Sequence, residues 1–183
     1  MSTGMSTADP LSLLQKMQQE SLATAPGLPE EVEAADVWSG VGFRVGDIHL
    51  VTPLDHVSEV LQWPDVTPVP RTRPWLKGIA NVRGNLLTII DLPEFFDKEP
   101  VRIDDRCRVM TINVPGLNAG LLVNEVFGLR HFDPEQERQQ LSGLDDPVMA
   151  QTEGAFLRGN TLWGIFDVKA LAENPKFMHV HMQ

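Results

Sequence analysis

Short apolar segments separated by glycine, proline, asparagine and aspartate make up the chain from Trp38 onward. Apolar and polar positions alternate within many of these segments, which is typical of β-strands. The pattern predicts strands near 38–45, 48–52, 56–62, 78–82, 86–91, 106–113, 119–125, 128–132, 153–158 and 161–167. Short helical turns are predicted after Asp91 and Asp167. Many short strands at this spacing indicate β-barrels or a sandwich.

Residues 75–92 carry apolar strand positions on both sides of one polar turn. Glycine first in a two-residue loop suits a type II′ hairpin, so the sequence predicts a turn at Gly84-Asn85. Arg83 then lies at the mouth of a rigid hairpin rather than in a loose loop. Gly78 is expected to be structural, because glycine permits close approach of a neighbouring backbone.

An internal repeat relates two stretches of the chain. In each, a Gly-Asn pair leads through an apolar strand to an aspartate and a short helix; the stretches are 84–96 and 159–173. Counted from Gly84 and from Gly159, the second stretch is one residue longer before its aspartate. A similar echo links 46–57 with 116–126. The repeat predicts two small β modules of like design, without saying of which kind.

Asp91 and Asp167 occupy equivalent places in the repeat. We interpret both as helix N-caps, whose side chains accept hydrogen bonds from the first free amides of the following helix. The alternative is an acid–base pair, which would require both carboxylates to face one cleft. Equivalent positions in two repeats do not usually converge in that way.

The first 36 residues differ from the rest and are predicted to form an extension, followed by a domain over 37–175 and a tail over 176–183. Residues 1 to about 10 are rich in Ser, Thr and Gly, which predicts disorder. Apolar residues at helical spacing predict a short amphipathic helix over 11–24. This helix would either pack loosely on the domain or dock a partner.

Composition narrows the class of protein. Across 183 residues the formal net charge is −10, which argues against nucleic-acid binding because phosphate neutralisation needs clustered Lys and Arg. No apolar run approaches the roughly 20 residues of a membrane span, and no export signal is recognisable. The single cysteine, Cys107, excludes an internal disulfide. We therefore expect a cytoplasmic protein without direct membrane insertion.

Candidate chemistry is sparse. His179 and His181 have a spacing that could hold a metal, but no clear third ligand is near them in sequence. The phosphate-binding, dinucleotide-binding, serine-hydrolase and zinc-protease motifs are missing from the sequence. The sequence therefore predicts no catalytic residues, no cofactor and no metal, and hence a protein that is not an enzyme.

One string of motifs resembles a known family. Gly78, the Asn-Val-Arg-Gly of 81–84, an apolar strand and Asp91-Leu92 follow in the order of the core signature of CheW-like adaptor domains. Residues 57–61 resemble the V-x-E-V strand of that family, and residues 120–126 its G-L-L-V-D-E-V strand. The resemblance extends over residues 38–173.

The resemblance implies a mainly β fold: two five-stranded SH3-like β-barrels packed side by side across a shared core, with short helices. It also implies a non-catalytic adaptor that couples the cytoplasmic tip of a methyl-accepting chemoreceptor to the regulatory domain of a CheA-type histidine kinase. Such an adaptor would be recruited to receptor arrays at the inner membrane. Avidity within the array would supply affinity to surfaces of modest area.

The residues expected to contact partners are carried over from the family's motifs. Glu59 and Arg83 hold its prominent functional positions, and Asn81, Val57 and Val60 are the further candidates. The alternative is that Glu59 and Arg83 form a salt bridge that only fixes the hairpin. Exposed pairs of that kind contribute ~0–1 kcal/mol.

Details of the sequence favour the adaptors of type IV pilus (twitching) systems within this family. The resemblance lies in residues 38–44, 75–84 and 124–132 and in the long N-terminal extension. Asn124 is a departure, because most of the family has aspartate there. Two alternatives remain: a CheW-like coupling protein of a flagellar or other chemosensory pathway, and a ligand-binding β-barrel, which would require a concave pocket with convergent polar groups.

Overall fold

The computed structural model describes residues 37–138 and 146–178. The disorder expected over residues 1 to about 10, the helix expected over 11–24 and the His179/His181 pair all concern residues outside these ranges. Within them the strands follow in the order β1 (Trp38–Val45), β2 (Ile48–Pro53), β3 (Val57–Leu61), β4 (Val66–Thr67), β5 (Leu76–Val82), β6 (Asn85–Asp91), β7 (Arg108–Ile112), β8 (Ala119–Val123), β9 (Glu125–Phe132), β10 (Glu137–Arg138), β11 (Thr152–Arg158) and β12 (Thr161–Phe166).

The helices are short, and the first two follow the second strand of a hairpin. They are α1 (Leu92–Phe95), α2 (Val168–Glu173) and α3 (Pro175–Met178), with single 3₁₀ turns at Leu54–His56, Pro134–Gln136 and Met149–Gln151. The predicted strands and the two predicted helical turns are therefore confirmed, apart from shifts of a few residues at their ends. The two-residue strands β4 and β10 were not predicted, because two residues carry no periodicity.

The strands form two sheets of the same design. The order is β11-β12-β2-β1-β9 in one, which we call the terminal barrel, and β5-β6-β8-β7-β3 in the other, the central barrel. A two-residue strand extends each sheet at one edge, β10 beside β11 and β4 beside β5. Each sheet contains one parallel pair, β12 with β2 and β6 with β8, and its other pairs are antiparallel.

Contacts between strands that are not neighbours show that both sheets curl into barrels. The rings of Phe132 on β9 and Phe156 on β11 stack with centroids 4.7 Å apart. Arg83, beside β5, reaches Glu59 on β3 with an Nη2–Oε1 distance of 2.7 Å. In each case four strand spacings, about 19 Å in a flat sheet, separate the strands. The predicted pair of five-stranded barrels with short helices is thereby confirmed.

The two barrels exchange strands. The β1–β2 hairpin belongs to the terminal barrel, but β3 leaves it and pairs with β7 of the central barrel. The β7–β8 hairpin belongs to the central barrel, and β9 leaves it to pair with β1. Each barrel is therefore completed by a strand that follows a hairpin of the other.

The hydrophobic core has three parts. The largest lies between the barrels and includes Phe43 and Leu50 from one, Met110 and Leu121 from the other, and Phe95. The interior of the central barrel is mainly aliphatic, with Ala80, Leu87, Ile89, Val101, Cys107, Val109 and Leu122. The interior of the terminal barrel is largely aromatic, with Phe132, Phe156 and Trp163 beside Trp38 and Phe127. The barrels thus share one core across their outer faces.

The strand register allows the two repeats to be aligned residue by residue. Irregularities in pairing fall at matching places: before Gly78 in β5 and before Gly154 in β11. The same holds in β3 and β9, where residues 57–61 of the central barrel match residues 126–130 of the terminal barrel. Residues at matching positions can therefore be compared directly.

Candidate functional site

The hairpin turn at Arg83 differs from the prediction. Val82 pairs with Asn85, so the two-residue loop is Arg83-Gly84, and Asn85 is the first residue of β6. Arg83 has φ +52° and Gly84 φ +85°, and two positive values are what a type I′ turn requires. The predicted type II′ turn at Gly84-Asn85 is therefore wrong.

The second hairpin explains the error. Arg158 pairs with Thr161, so its loop is Gly159-Asn160, with φ +61° at Gly159 and no positive φ at Asn160. That pattern matches type II′, with glycine first. Counted from the first residue after the loop, both stretches reach their aspartate in the same number of steps. The one-residue difference in the sequence is thus a difference in turn type.

Two residues of β5 shape the hairpin that carries Arg83. The side-chain Oδ1 of Asn81 accepts a hydrogen bond from the Gly84 amide at 3.0 Å. Gly78 has φ +143°, and a Cβ there would collide with the carbonyl group of Thr67 on β4. Asn81 therefore fixes the turn itself, and Gly78 allows β4 to approach β5.

Arg83 and Glu59 form an exposed ion pair across the mouth of the central barrel. The Arg83 side chain is 77% exposed and that of Glu59 is 31% exposed. Arg83 carries the cost of a left-handed backbone in a residue other than glycine. An ion pair this exposed contributes at most about 1 kcal/mol, so it does not account for an arginine at this strained position.

Exposed apolar side chains accompany the ion pair. Leu86 is 64% exposed and Ile79 is 37% exposed. Asn81 and Leu86 are cross-strand partners, and Ile79 lies two residues before Asn81, so the three share one face of the hairpin. We call Glu59, Ile79, Asn81, Arg83 and Leu86 the hairpin surface. Sequence reasoning missed Ile79 and Leu86, although alternation with buried Ala80 and Leu87 placed them on the opposite face.

The two valines of the V-x-E-V strand lie in different surroundings. Val60 is 40% exposed and can contact a partner. Val57 is half-buried and packs against the core between the barrels. Its matching residue, Val126, packs against the same core. Val57 therefore has a packing role whether or not it also touches a partner.

Asp91 is a fully buried carboxylate with several partners. It accepts hydrogen bonds from the amides of Glu94 at 3.1 Å and Val101 at 3.0 Å, and its Oδ2 lies 3.4 Å from the Lys77 Nζ. Burial raises the pKa of Asp91, while the two backbone amides and Lys77 oppose that rise. Asp91 thus caps α1 and also ties down the loop that leads to β7.

Asp167 caps α2 in the same way but has a different neighbour. Its Oδ1 accepts from the amides of Lys169 at 2.9 Å and Ala170 at 3.0 Å. The residue that matches Lys77 in the repeat is Glu153. Partial desolvation of its carboxylate, and then the Asp167 carboxylate, raise the pKa of Glu153. One repeat thus has an ion pair where the other has two carboxylates, and the two caps lie in separate barrels.

Asn124 forms a structural contact. Its Oδ1 accepts a hydrogen bond from the Gly46 amide at 2.7 Å, which fastens the β1–β2 turn to the start of β9. Arg44 pairs with the next residue, Glu125, at 3.3 Å. An aspartate at 124 is therefore not needed for a salt bridge here.

One sizeable cleft among the described residues does not resemble a ligand pocket. It has a volume of about 790 Å³, and charged side chains of both signs line it. Ion pairs join Lys98 to Asp146 and Arg106 to Asp104 at its walls. Small-molecule pockets are mostly apolar with a few convergent polar groups. The same part of the chain contains no cluster of three His, Cys, Asp or Glu side chains suited to a metal.

Comparison with known proteins identifies the family to which this two-barrel fold belongs. The family model described as "CheW-like domain" matches residues 39–176. The chain belongs to the CheW-like family. It is 39% identical to Protein PilI of Pseudomonas aeruginosa over 171 residues, which is 93% of this chain and 96% of that protein. It is also 39% identical to Protein FrzA of Myxococcus xanthus over 90 residues, 49% of this chain and 56% of that protein.

A solved structure supports the fold. The scaffolding protein TtCheW from Thermoanaerobacter tengcongensis matches with a TM-score of 0.65 at 22% identity, covering 75% of this chain and 94% of the TtCheW chain. Similarity extends to Chemotaxis protein CheW of Thermotoga maritima, 21% identical over 137 residues. With PilI and CheW as homologues, the chain is a chemosensory scaffold adaptor. In residues 37–138 and 146–178, no helix is long and apolar enough to span a bilayer.

Proposed function

We propose that this adaptor couples the cytoplasmic tip of a methyl-accepting chemoreceptor to the regulatory domain of a CheA-type histidine kinase in the pathway that controls type IV pilus twitching. The observation that carries the pathway is the 39% identity to PilI over nearly the full length of both chains. The protein acts without catalysis and is recruited from the cytoplasm to receptor arrays.

The hairpin surface is the proposed docking site for the receptor. It combines a rigid turn, an arginine that projects into solvent and two exposed apolar side chains, Ile79 and Leu86. Arginine and apolar contacts of this kind dominate the binding energy of many interfaces, with arginine among the residues enriched at their centres. Glu59 orients Arg83 before the partner arrives, and Val60 extends the surface along β3.

The kinase contact is expected on another part of the scaffold. A protein that links two partners must hold both at once, so the surfaces cannot coincide. Titrating the wild-type adaptor with the regulatory domain of its kinase should give binding in the micromolar range, typical of contacts that rely on avidity. No binding by a folded adaptor to a kinase domain of established activity would contradict the proposed function.

Charge reversal at the hairpin separates the two surfaces. Arg83→Glu should weaken binding of the receptor tip by about tenfold or more, because a desolvated charge contact is lost and repulsion from Glu59 is added. Its melting temperature should stay within about 2 °C of the wild type, since the lost ion pair is exposed. Arg158→Glu, a charge reversal at the second hairpin, is the matched control and should keep receptor binding. A large drop in melting temperature for Arg83→Glu would assign Arg83 to structure.

A further inference from the structure

Arg130 on β9 is a cation at an inward-facing position of the terminal barrel. It pairs with Gly40 of β1, and its guanidinium carbon lies 5.9 Å from the ring centroids of both Phe127 and Trp163. Its Nε is shielded from solvent and has no hydrogen-bond partner. Among the described residues, no ion pair or side-chain hydrogen bond involves Arg130. Cation–π contacts therefore hold the head group, and the buried Nε–H donor has no acceptor among the described residues.

The matching residue in the other barrel is apolar. Leu61 occupies it in the central barrel, paired with Val109 and packed against the aliphatic interior. A leucine would suit the aromatic interior of the terminal barrel equally well. Placing an arginine there costs desolvation without a compensating anion, so packing does not explain it.

Glycines give the Arg130 side chain room to reach the barrel mouth. Gly42 pairs with Gly128, and a Cβ on Gly42 would lie 2.9 Å from the Arg130 Cγ and 2.9 Å from the Trp163 ring. The stem therefore passes Gly42 toward His49, whose ring stacks on Phe127 with centroids 5.3 Å apart. This end of the barrel is the one that carries the β11–β12 turn.

An ion pair bridges this mouth in the central barrel, whereas the terminal barrel lacks the matching carboxylate. In the central barrel Glu59 receives Arg83 across the mouth at 2.7 Å. The residue that matches Glu59 is Gly128, so the terminal barrel presents a cation here and lacks the carboxylate at the matching position. What is missing is an anion near the place that Glu59 takes in the other repeat.

We propose that the terminal-barrel mouth binds an aspartate or glutamate side chain of a protein partner, with Arg130 as its anchor. The carboxylate would accept charge-assisted hydrogen bonds from a guanidinium already desolvated on its ring-facing side, and the rings of Phe127 and His49 would flank it. Arginine and tryptophan, which lie close together here, are residues enriched in interface hot spots. The inference does not depend on the identity of the receptor or kinase.

The test is an NMR titration of the full chain with the probe acetyl-Gly-Glu-Gly-amide and with its glutamine counterpart. The side-chain Nε–H signal of Arg130 and the indole signal of Trp163 should shift in a saturable way with the glutamate peptide only. Arg130→Leu, which installs the residue of the matching position, should stay folded and weaken binding by about tenfold or more. Arg158→Gln, a neighbouring exposed cation removed, should bind like the wild type.

Each contrary result overturns the proposal. Equal responses to both peptides would show that charge is not recognised, and unchanged binding by Arg130→Leu would place the peptide elsewhere. No shift of either signal in the wild type would show that the mouth does not accept a carboxylate. Inorganic phosphate that shifts the same signals at lower concentration than the glutamate peptide would show a small-anion site instead.

Discussion

The carboxylates of Glu153 and Asp167 allow a direct test of the internal repeat, because the other repeat has a lysine at the position that matches Glu153. Lys77, which matches Glu153, lies 3.4 Å from Asp91 and 2.5 Å from the Glu94 carboxylate. Glu153 instead lies beside Asp167. Partial desolvation of the Glu153 carboxylate is the largest cause of its raised pKa, and the charge of Asp167 is the next. Glu153→Lys should therefore reproduce the ion pair of the first repeat and stabilise the fold.

The magnitude follows from the geometry. Two unit charges 3.4 Å apart, as in Lys77–Asp91, attract by about 1 kcal/mol in water, and measured exposed pairs give ~0.2–1 kcal/mol. Residue 153 is exposed, so the lower part of that range applies. His56 and Lys169 lower the pKa of Glu153, and a lysine there would lose these favourable contacts. We expect a net gain of about 0.5 kcal/mol, or about 1–2 °C in melting temperature.

The pH dependence of the free energy of unfolding distinguishes repulsion between Glu153 and Asp167 from other causes of a stability difference. The folded-state pKa of Glu153 lies above its usual value of about 4.5, so folding favours the protonated form. That contribution is complete below the unfolded-state pKa and is lost as the pH rises through the folded pKa. Glu153→Gln should therefore match the wild type near pH 4 and be more stable at pH 7.5 by a few tenths of a kcal/mol.

The assay is urea unfolding followed by tryptophan fluorescence, with the free energy of unfolding compared at the two pH values. Glu153→Lys should rank above Glu153→Gln, and both above the wild type, at pH 7.5. The reasoning fails if Glu153→Gln is no more stable than the wild type at pH 7.5, or if its advantage is the same at both pH values.

Two further predictions use matched positions. Asp91→Ala should lower the free energy of unfolding by about 3 kcal/mol, because it leaves the amides of Glu94 and Val101 and the Lys77 ammonium without their acceptor. Asp167→Ala should cost about 1 kcal/mol as a lost helix cap. Equal losses in urea unfolding would contradict the difference. Gly78→Ala should lower the free energy of unfolding by at least about 2 kcal/mol, because a φ of +143° strains any other residue and the added Cβ would collide with Thr67. Gly84→Ala, whose added Cβ would meet open space, should cost about 1 kcal/mol. A smaller loss for Gly78→Ala than for Gly84→Ala in thermal unfolding would rule out the close approach of β4.

Most of the strand pattern could be predicted from the sequence, because alternation and turn residues are local signals. The turn at Arg83 could not be predicted in this way. A Gly-Asn pair can form the loop of a type II′ turn, but its asparagine can equally be the first residue of a strand, and only the strand pairing decides between the two. An arginine with φ +52° is too uncommon to be predicted from residue type alone. The Glu59–Arg83 pair was foreseen only as an alternative, because four strands separate its members in the sheet.

The inward-facing position of Arg130 also could not be predicted from the sequence. Arg130 follows Leu129 in a segment that reads as a strand with one polar face, and nothing local reveals that this face points into a barrel. The exposed side chain is instead Leu129, at 49%. Its matching residue, Val60, is exposed too, so both repeats turn an apolar residue outward at the same place. A shared exposed position of this kind becomes visible only once the register is known.

The exchange of strands between the barrels bears directly on the role of a scaffold. Since β3 completes the central barrel and β9 the terminal one, neither barrel can close on its own hairpins. The two also share one core, so their relative orientation is fixed by packing rather than by a linker. A receptor bound at the hairpin surface of one barrel and a carboxylate held at the mouth of the other would therefore keep a constant distance. An adaptor that transmits a signal between partners without chemistry of its own needs that rigidity, because a flexible joint between its surfaces would absorb the displacement it has to pass on.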